Sequence, residues 1–220
     1  MPVRQIATAL GVSVSSVSIW TRDIELTPEQ RAANLARAGA MRGPRWSEKN
    51  RERRRGYQRE GRERARLGGM LHVAGCMLYW AEGKKGRNAA VFSNSDPHMC
   101  ALFCRFMREC FAITDDRLSF SINAYTNNGR TIKEIEAFWL DLLGLPRSSA
   151  RKHMTNHFPT SSSGRKRNKL PNGVCTIRVA QSTPIVQHIY GAIQEYAGID
   201  CPEWLDGPPS KRKAGRPDPA

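Results

Sequence analysis

Apolar and polar positions along this chain repeat with a helical period in some stretches and a strand period in others, and the changes of period divide it. Near the N-terminus Ile6, Ala7 and Leu10 share one helical face, and Gly11 offers a left-handed residue for a turn. Val12, Val17 and Trp20 then stand where a second short helix would close a small core. Thr27-Pro28-Glu29-Gln30 reads as a further helix start, because Thr27 can cap, Pro28 suits the first helical position and Gln30 follows three residues after the cap. That helix is predicted to run to about Ala40.

Apolar periodicity then lapses. Between Met41 and Gly69 stand Arg42, Arg45, Lys49, Arg51, Arg53, Arg54, Arg55, Arg59, Arg62, Arg64 and Arg66, against only Glu48, Glu52, Glu60 and Glu63. Gly56, Gly61 and the pair Gly68-Gly69 weaken a helix, so residues 41–69 are expected to form a partly helical basic linker. Its arginines, Arg53, Arg54 and Arg55 among them, either settle on phosphates or remain a solvated spacer.

A folded domain is expected over residues 70–206. Met70 to Ala81 is apolar almost all round, as in a buried or interface helix. A strand over Ala89–Asn94 precedes Ser95-Asp96-Pro97, which starts an amphipathic helix to about Phe111. Residues Arg117–Tyr125 alternate most cleanly: Leu118, Phe120, Ile122 and Ala124 point one way, and Arg117, Ser119, Ser121, Asn123 and Tyr125 the other. Thr131–Leu143 reads as a helix stopped by Gly144 and Pro146. A basic loop, Ser161 to Lys169, leads to a second alternating strand over Gly173–Ala180, with Thr176 and Arg178 on its polar face, and a last helix opens at Thr183-Pro184. The Pro-rich basic tail, 207–220, is expected to be disordered. The fold class that results is α+β: a small all-α module over 1–40, the basic helical linker, and an αβ domain with a mainly antiparallel sheet.

Composition narrows the partners. Of 220 residues 40% are hydrophobic, enough for a real core, and the formal net charge is +15, far beyond what solubility requires. Nucleic acid is the commonest polyanion that rewards such an excess. No run approaches the roughly 18 apolar residues of a spanning helix, and the N-terminus lacks a signal-peptide pattern, so no membrane partner and a cytoplasmic, nucleoid-associated location are expected. The six cysteines include no Cys-x-x-Cys pair, so disulfides are not expected; His98, Cys100 and Cys104 share helical spacing, but core packing is the better reading than zinc.

The first two dozen residues thus read as a helix-turn-helix, whose second helix would present Ser13, Ser15, Ser16, Ser18, Thr21 and Arg22 to base edges and phosphates. The bland alternative is a helical hairpin that only packs. Gly75-Cys-Met-Leu-Tyr-Trp-Ala-Glu-Gly83, with the αβα order after it, resembles the core helix and fold of the LAGLIDADG homing endonucleases. In that family two such helices pack together and each ends in an acid that reaches a divalent metal; the resemblance places that acid on Glu82, after Ala81, while Cys76, Met77 and Trp80 depart from the pattern. It also implies a sheet whose polar face lies on the major groove: here Arg117, Ser119, Ser121, Asn123, Thr176 and Arg178, with Arg165, Lys166, Arg167 and Lys169 in the basic loop. Glu82 is either that metal ligand or the partner of Lys84, Lys85 or Arg87.

Three functions compete. The favoured expectation is a sequence-specific double-stranded DNA-binding protein, a transcriptional regulator that needs no cofactor and does not cleave efficiently, with a homodimer as one arrangement. The alternative is a magnesium-dependent homing endonuclease or nickase with Glu82 as metal ligand. The third, an RNA-binding basic protein, explains the charge but leaves the helix-turn-helix an accident.

Overall fold

A computed structural model describes residues 3–22, 24, 26–125, 129–156 and 170–206, with side chains except at Arg4 and residues 35–46. The chain divides into two compact units, Met1–Lys49 and Asn50–Ala220. The predicted tail, 207–220, and the loop 161–169 lie outside the described residues.

In the first unit, α1 (Val3–Leu10) and α2 (Val14–Trp20) are joined through Gly11, whose φ of 66° is left-handed as the turn requires. The Ser13 hydroxyl caps α2 by accepting the Ser16 N–H at 3.0 Å. The expected small core is only partly there. Ala7 and Val17 are buried, whereas Leu10 and Trp20 are each 61% exposed. Helices of eight and seven residues shield only the side chains at their crossing. The start of α3 (Pro28–Arg66) follows its predicted signal, because Thr27 N–H donates to Gln30 and Gln30 N–H donates back to the Thr27 hydroxyl.

Helix α3 does not end near Ala40 but continues through the expected linker, and from Asn50 onward its residues belong to the second unit. The reason is a buried stripe that carries almost no apolar side chain: Arg54, Gln58, Gly61 and Ala65, spaced four, three and four apart. This stripe lies against α7 (Thr183–Ala197). A Cβ on Gly61 would sit 2.0 Å from the His188 carbonyl oxygen, and one on Gly191 would sit 1.9 Å from that of Gln58. Two glycines facing each other therefore let the helix backbones meet. Inside that seam Gln58 donates to Gln187 at 2.8 Å and accepts from Gln194 at 3.3 Å, so the buried amides satisfy one another. Ion pairs flank it: Arg54 with Asp206 at 3.1 Å, Arg62 with Asp200 at 2.8 Å, and Arg66 with Glu195 at 2.8 Å.

The rest of the second unit follows the predicted order closely: α4 (Met70–Glu82), β1 (Val91–Asn94), α5 (Pro97–Phe111), β2 (Leu118–Ala124), α6 (Ile132–Leu143), β3 (Met154–Thr155), β4 (Val174–Val179) and α7. Local chemistry explains the boundaries. Asp96 caps α5 by accepting the N–H groups of His98 and Met99, and Thr131 with Glu134 forms a reciprocal capping box on α6. Among the described residues the strands form one mostly antiparallel sheet in the order β1-β4-β2-β3, in which β2 and β3 run parallel. Phe92, Leu118, Phe120, Ile122, Cys175 and Ile177 all turn to the face that forms the core with the helices, as a strand's period of two demands. Phe92 stacks on Phe103 at 4.8 Å, and the buried Trp139 donates its indole N–H to Asn172 O at 2.8 Å. Cys76, Cys100, Cys104 and Cys175 are buried thiols of this core, while His98 is exposed and does not join them.

Helices α4 and α7 are also tied by an imidazole pair. His72 Nε2 lies 3.1 Å from His188 Nε2, and His72 Nδ1 lies 2.7 Å from the Tyr196 hydroxyl. One ring must accept where the other donates, so both cannot be protonated without forcing two N–H groups together. Burial, the facing His188 and the nearby Arg64 guanidinium push His72 down to about 4, and burial with Arg64 does the same to His188. In the unfolded chain both titrate near the ordinary value of about 6.5. Between those limits the unfolded state binds more protons, so stability falls as pH drops from about 6.5 to about 4. Urea unfolding across that window should show the decline in the wild type and a flatter one in His188→Gln.

Candidate nucleic-acid interface

Three surfaces were predicted to face nucleic acid, and the structure treats them differently. On α2 the polar ridge splits into two sets. Ser13 and Ser16 are engaged with each other in the cap, their hydroxyls 2.9 Å apart, and the Thr21 hydroxyl donates back to Val17 O at 2.8 Å. Ser15, Ser18 and Arg22 are exposed, and their side chains have no partner among the described residues. Those three are left to meet a ligand.

The basic segment at Arg53–Arg55 divides as well. Arg54 was expected on phosphates, but its side chain is only 9% exposed and is paired with Asp206. Its role is to hold the C-terminal turn Pro202–Asp206 onto α3, because a guanidinium this deep is tolerated only with its counter-charge. Arg53 points outward, and Arg55 is exposed with Glu52 at 2.8 Å.

The sheet presents the surface its alternation predicts. Opposite the core, aligned rows across β1, β4 and β2 carry Ser93, Thr176 and Ser121, and beside them Val91, Arg178 and Ser119. The Ser93 and Thr176 hydroxyls are 2.9 Å apart, and Arg178 donates to the Ser121 hydroxyl at 2.9 Å. Ser119 and Asn123 make no side-chain hydrogen bond among the described residues. Hydroxyls, an amide and one guanidinium thus share a half-open to exposed face, a set of donors and acceptors of the kind that reads base edges. Arg117, assigned to this face from alternation, lies instead in the turn Asp115–Arg117 before β2, where its guanidinium donates to Ala180 O at 2.9 Å and Gln181 O at 3.3 Å. The strand begins one residue later than the pattern implied, and the arginine is spent on tying β2 to the start of α7.

Arg165, Lys166, Arg167 and Lys169 lie outside the described residues. Next to that loop, sequence reasoning missed Arg151 and Lys152, both exposed in the segment leading into the edge strand β3. Arg151 N–H donates to Phe120 O at 2.8 Å, which fixes this basic pair along β2. The signal was present in the run Ala150-Arg-Lys-His153, too short to register as a strand.

Glu82 is exposed at the last position of α4 and has no hydrogen bond or ion pair among the described residues. Lys85, one of its candidate partners, donates to the carbonyls of Tyr79, Trp80 and Gly83 and so neutralises the negative end of α4. Arg87 lies 3.8 Å from Asp206. Among the described residues no three His, Cys, Asp or Glu side chains gather as a metal-ligand set. A hard divalent ion prefers several oxygen ligands, and one lone carboxylate does not fit that need. No helix among the described residues is long and apolar enough to cross a membrane.

Comparison with known proteins finds no matching family model, no matching curated protein and no matching solved structure. The reading of function therefore rests on residues and geometry alone.

Proposed function

We propose that this chain is a sequence-specific double-stranded DNA-binding protein, a transcriptional regulator in which α2 and the open sheet face each contact a duplex. The observation that carries it is the outer face of the sheet, where Ser93, Ser119, Ser121, Asn123, Thr176 and Arg178 outnumber the half-buried Val91 and Val174, while Phe92, Leu118, Phe120, Ile122, Cys175 and Ile177 turn inward to the core. A sheet that buries one face and leaves the other both polar and accessible offers a broad recognition surface. The net charge of +15 supplies the attraction that brings a polyanion to it.

Helix α4 supports a homodimer within this reading. Its inner side is buried by its own unit, but Met70 is 90% exposed, Val73 36% and Trp80 38%, at helical spacing along the outer side. A second copy packed on that stripe would cover it and pair the two units about a twofold axis.

The test is incubation with a random-sequence duplex library, with and without magnesium, reading retained and cut molecules. The proposal expects enrichment of one sequence class, equal with and without the ion, and intact DNA. Magnesium-dependent cutting that Glu82→Gln abolishes while retention survives would replace it with the nuclease reading.

A further inference from the structure

The second unit holds a cavity of about 270 Å³ that no part of the DNA reading uses. It opens between the C-terminal half of α3, the residues that follow α5 and the first turns of α7. Phe111, Ile113 and Ile185 give it an apolar wall, and Arg117, Glu60 and His188 supply its polar groups.

Two of those polar groups are of opposite charge and do not pair. The Arg117 guanidinium is fixed in place by the carbonyls of Ala180 and Gln181, yet its Nε is one of three buried side-chain nitrogens without a hydrogen-bond partner among the described residues. That nitrogen is closed to solvent, so an anion in the cavity would be met by the Arg117 Nη1, which makes no hydrogen bond with the described residues. Glu60 is exposed and makes no ion pair or hydrogen bond with the described residues, Arg117 included. A fixed cation, a free carboxylate and an apolar wall around a small volume are the complement of a molecule that has an anionic end, a cationic end and an apolar body. The volume lies just below the range of about 300–1,000 Å³ usual for drug-sized ligands, so the occupant is small.

We infer that this cavity is an effector site for a free α-amino acid with an apolar side chain, its carboxylate on Arg117, its ammonium on Glu60 and its side chain against Phe111, Ile113 and Ile185. Glu60 is on α3 and Ile185 on α7, so the ligand bridges the two helices that meet at Gly61 and Gly191. Binding there stabilises the seam by mass action, because the unfolded chain offers no such site.

The test is calorimetric titration of the full chain with L-leucine and L-phenylalanine. Alongside run their counterparts lacking the carboxylate, isoamylamine and phenethylamine, and those lacking the ammonium, 4-methylvalerate and 3-phenylpropionate. At least one amino acid should bind, with its two counterparts weaker by about tenfold or more, the loss of one charge-assisted contact. Glu60→Gln should weaken the amino acid by a similar factor and leave the unliganded melting temperature unchanged, since that carboxylate holds nothing in the fold. Arg117→Gln should abolish binding, but it also removes the ties to Ala180 and Gln181, so the Glu60 variant decides. Absence of binding by both amino acids at millimolar concentration overturns the inference. So does a deaminated acid that binds as tightly as its parent, or a Glu60→Gln protein that binds like the wild type. None of these outcomes depends on DNA.

Discussion

Gly61→Ala is expected to destabilise the protein by about 3 kcal/mol and to lower Tm by about 10 °C, although alanine is the better helix former. On a free helix surface the same exchange gains up to about 1 kcal/mol. At Gly61 the new methyl would arrive 2.0 Å from the His188 carbonyl oxygen, a distance that only backbone movement can relieve. That movement separates α3 from α7 and strands the Gln58, Gln187 and Gln194 amides, so a steric cost is joined by unsatisfied polar groups. Gly56 is the control. Nothing lies within 4 Å of a Cβ built there, and Gly56→Ala should leave Tm unchanged or raise it slightly. Thermal unfolding of the two variants reads the difference, and equal behaviour would mean that the α3–α7 seam is not closed as described.

The second large effect is expected in DNA recognition. Ser18→Ala and Arg22→Ala remove exposed groups of α2 that the helix does not need for its own stability, so each should cost about 1–3 kcal/mol of affinity for the preferred duplex. Affinity for unrelated duplex should fall far less for Ser18→Ala. Ser16→Ala is a different experiment, because its hydroxyl lies against the Ser13 hydroxyl and the cap uses the Ser16 N–H, which alanine keeps, so sequence preference should change little. Arg53→Ala should weaken binding to all sequences alike and reduce the slope of log affinity against log salt by about one. Competition binding at several salt concentrations separates these patterns. A Ser18 or Arg22 variant that keeps full sequence preference would remove α2 from the recognition surface.

What the amino-acid order reveals, and what it hides, follows from which physical signal each element carries. Strands β2 and β4 are plain in the sequence because one face is buried and the other is wet, so apolar and polar residues alternate. Helices α5 and α6 announce themselves through Asp96 and Thr131, whose capping chemistry is local. The C-terminal half of α3 hides, because its buried stripe is built from Arg54, Gln58, Gly61 and Ala65. Arginine, glutamine and glycine read as solvated and helix-weakening until α7 is there to meet them with Gln187, Gly191 and Gln194. That is why a stretch expected to be a linker belongs to the folded unit, and why Arg54 pairs internally.

The candidate interface was legible to a similar extent. The outward Ser119, Ser121, Asn123, Thr176 and Arg178 could be named from alternation, whereas Ser93 on the short β1 was missed and Arg117 is claimed by carbonyls far along the chain at Ala180 and Gln181. On α2 the pattern finds the buried Val17 but also assigns the exposed Trp20 to the core, and it does not distinguish a serine that caps from one that is free. Arg151 and Lys152 become visible only when β3 is seen beside β2. The outward stripe of α4 was expected as part of a buried or interface helix, and only the positions of α5 and α7 reveal which side is left open.

The central claim is that this basic protein reads duplex sequence and does not merely adhere to polyanions. The most direct measurement is the affinity of the full chain, across a range of salt concentrations, for its library-selected duplex, a scrambled duplex of the same length and a structured RNA of matched charge. Sequence reading predicts a preference for the selected duplex of at least about a thousandfold, retained as salt rises while the other two affinities collapse together. Three affinities that stay alike and fall in parallel would contradict it.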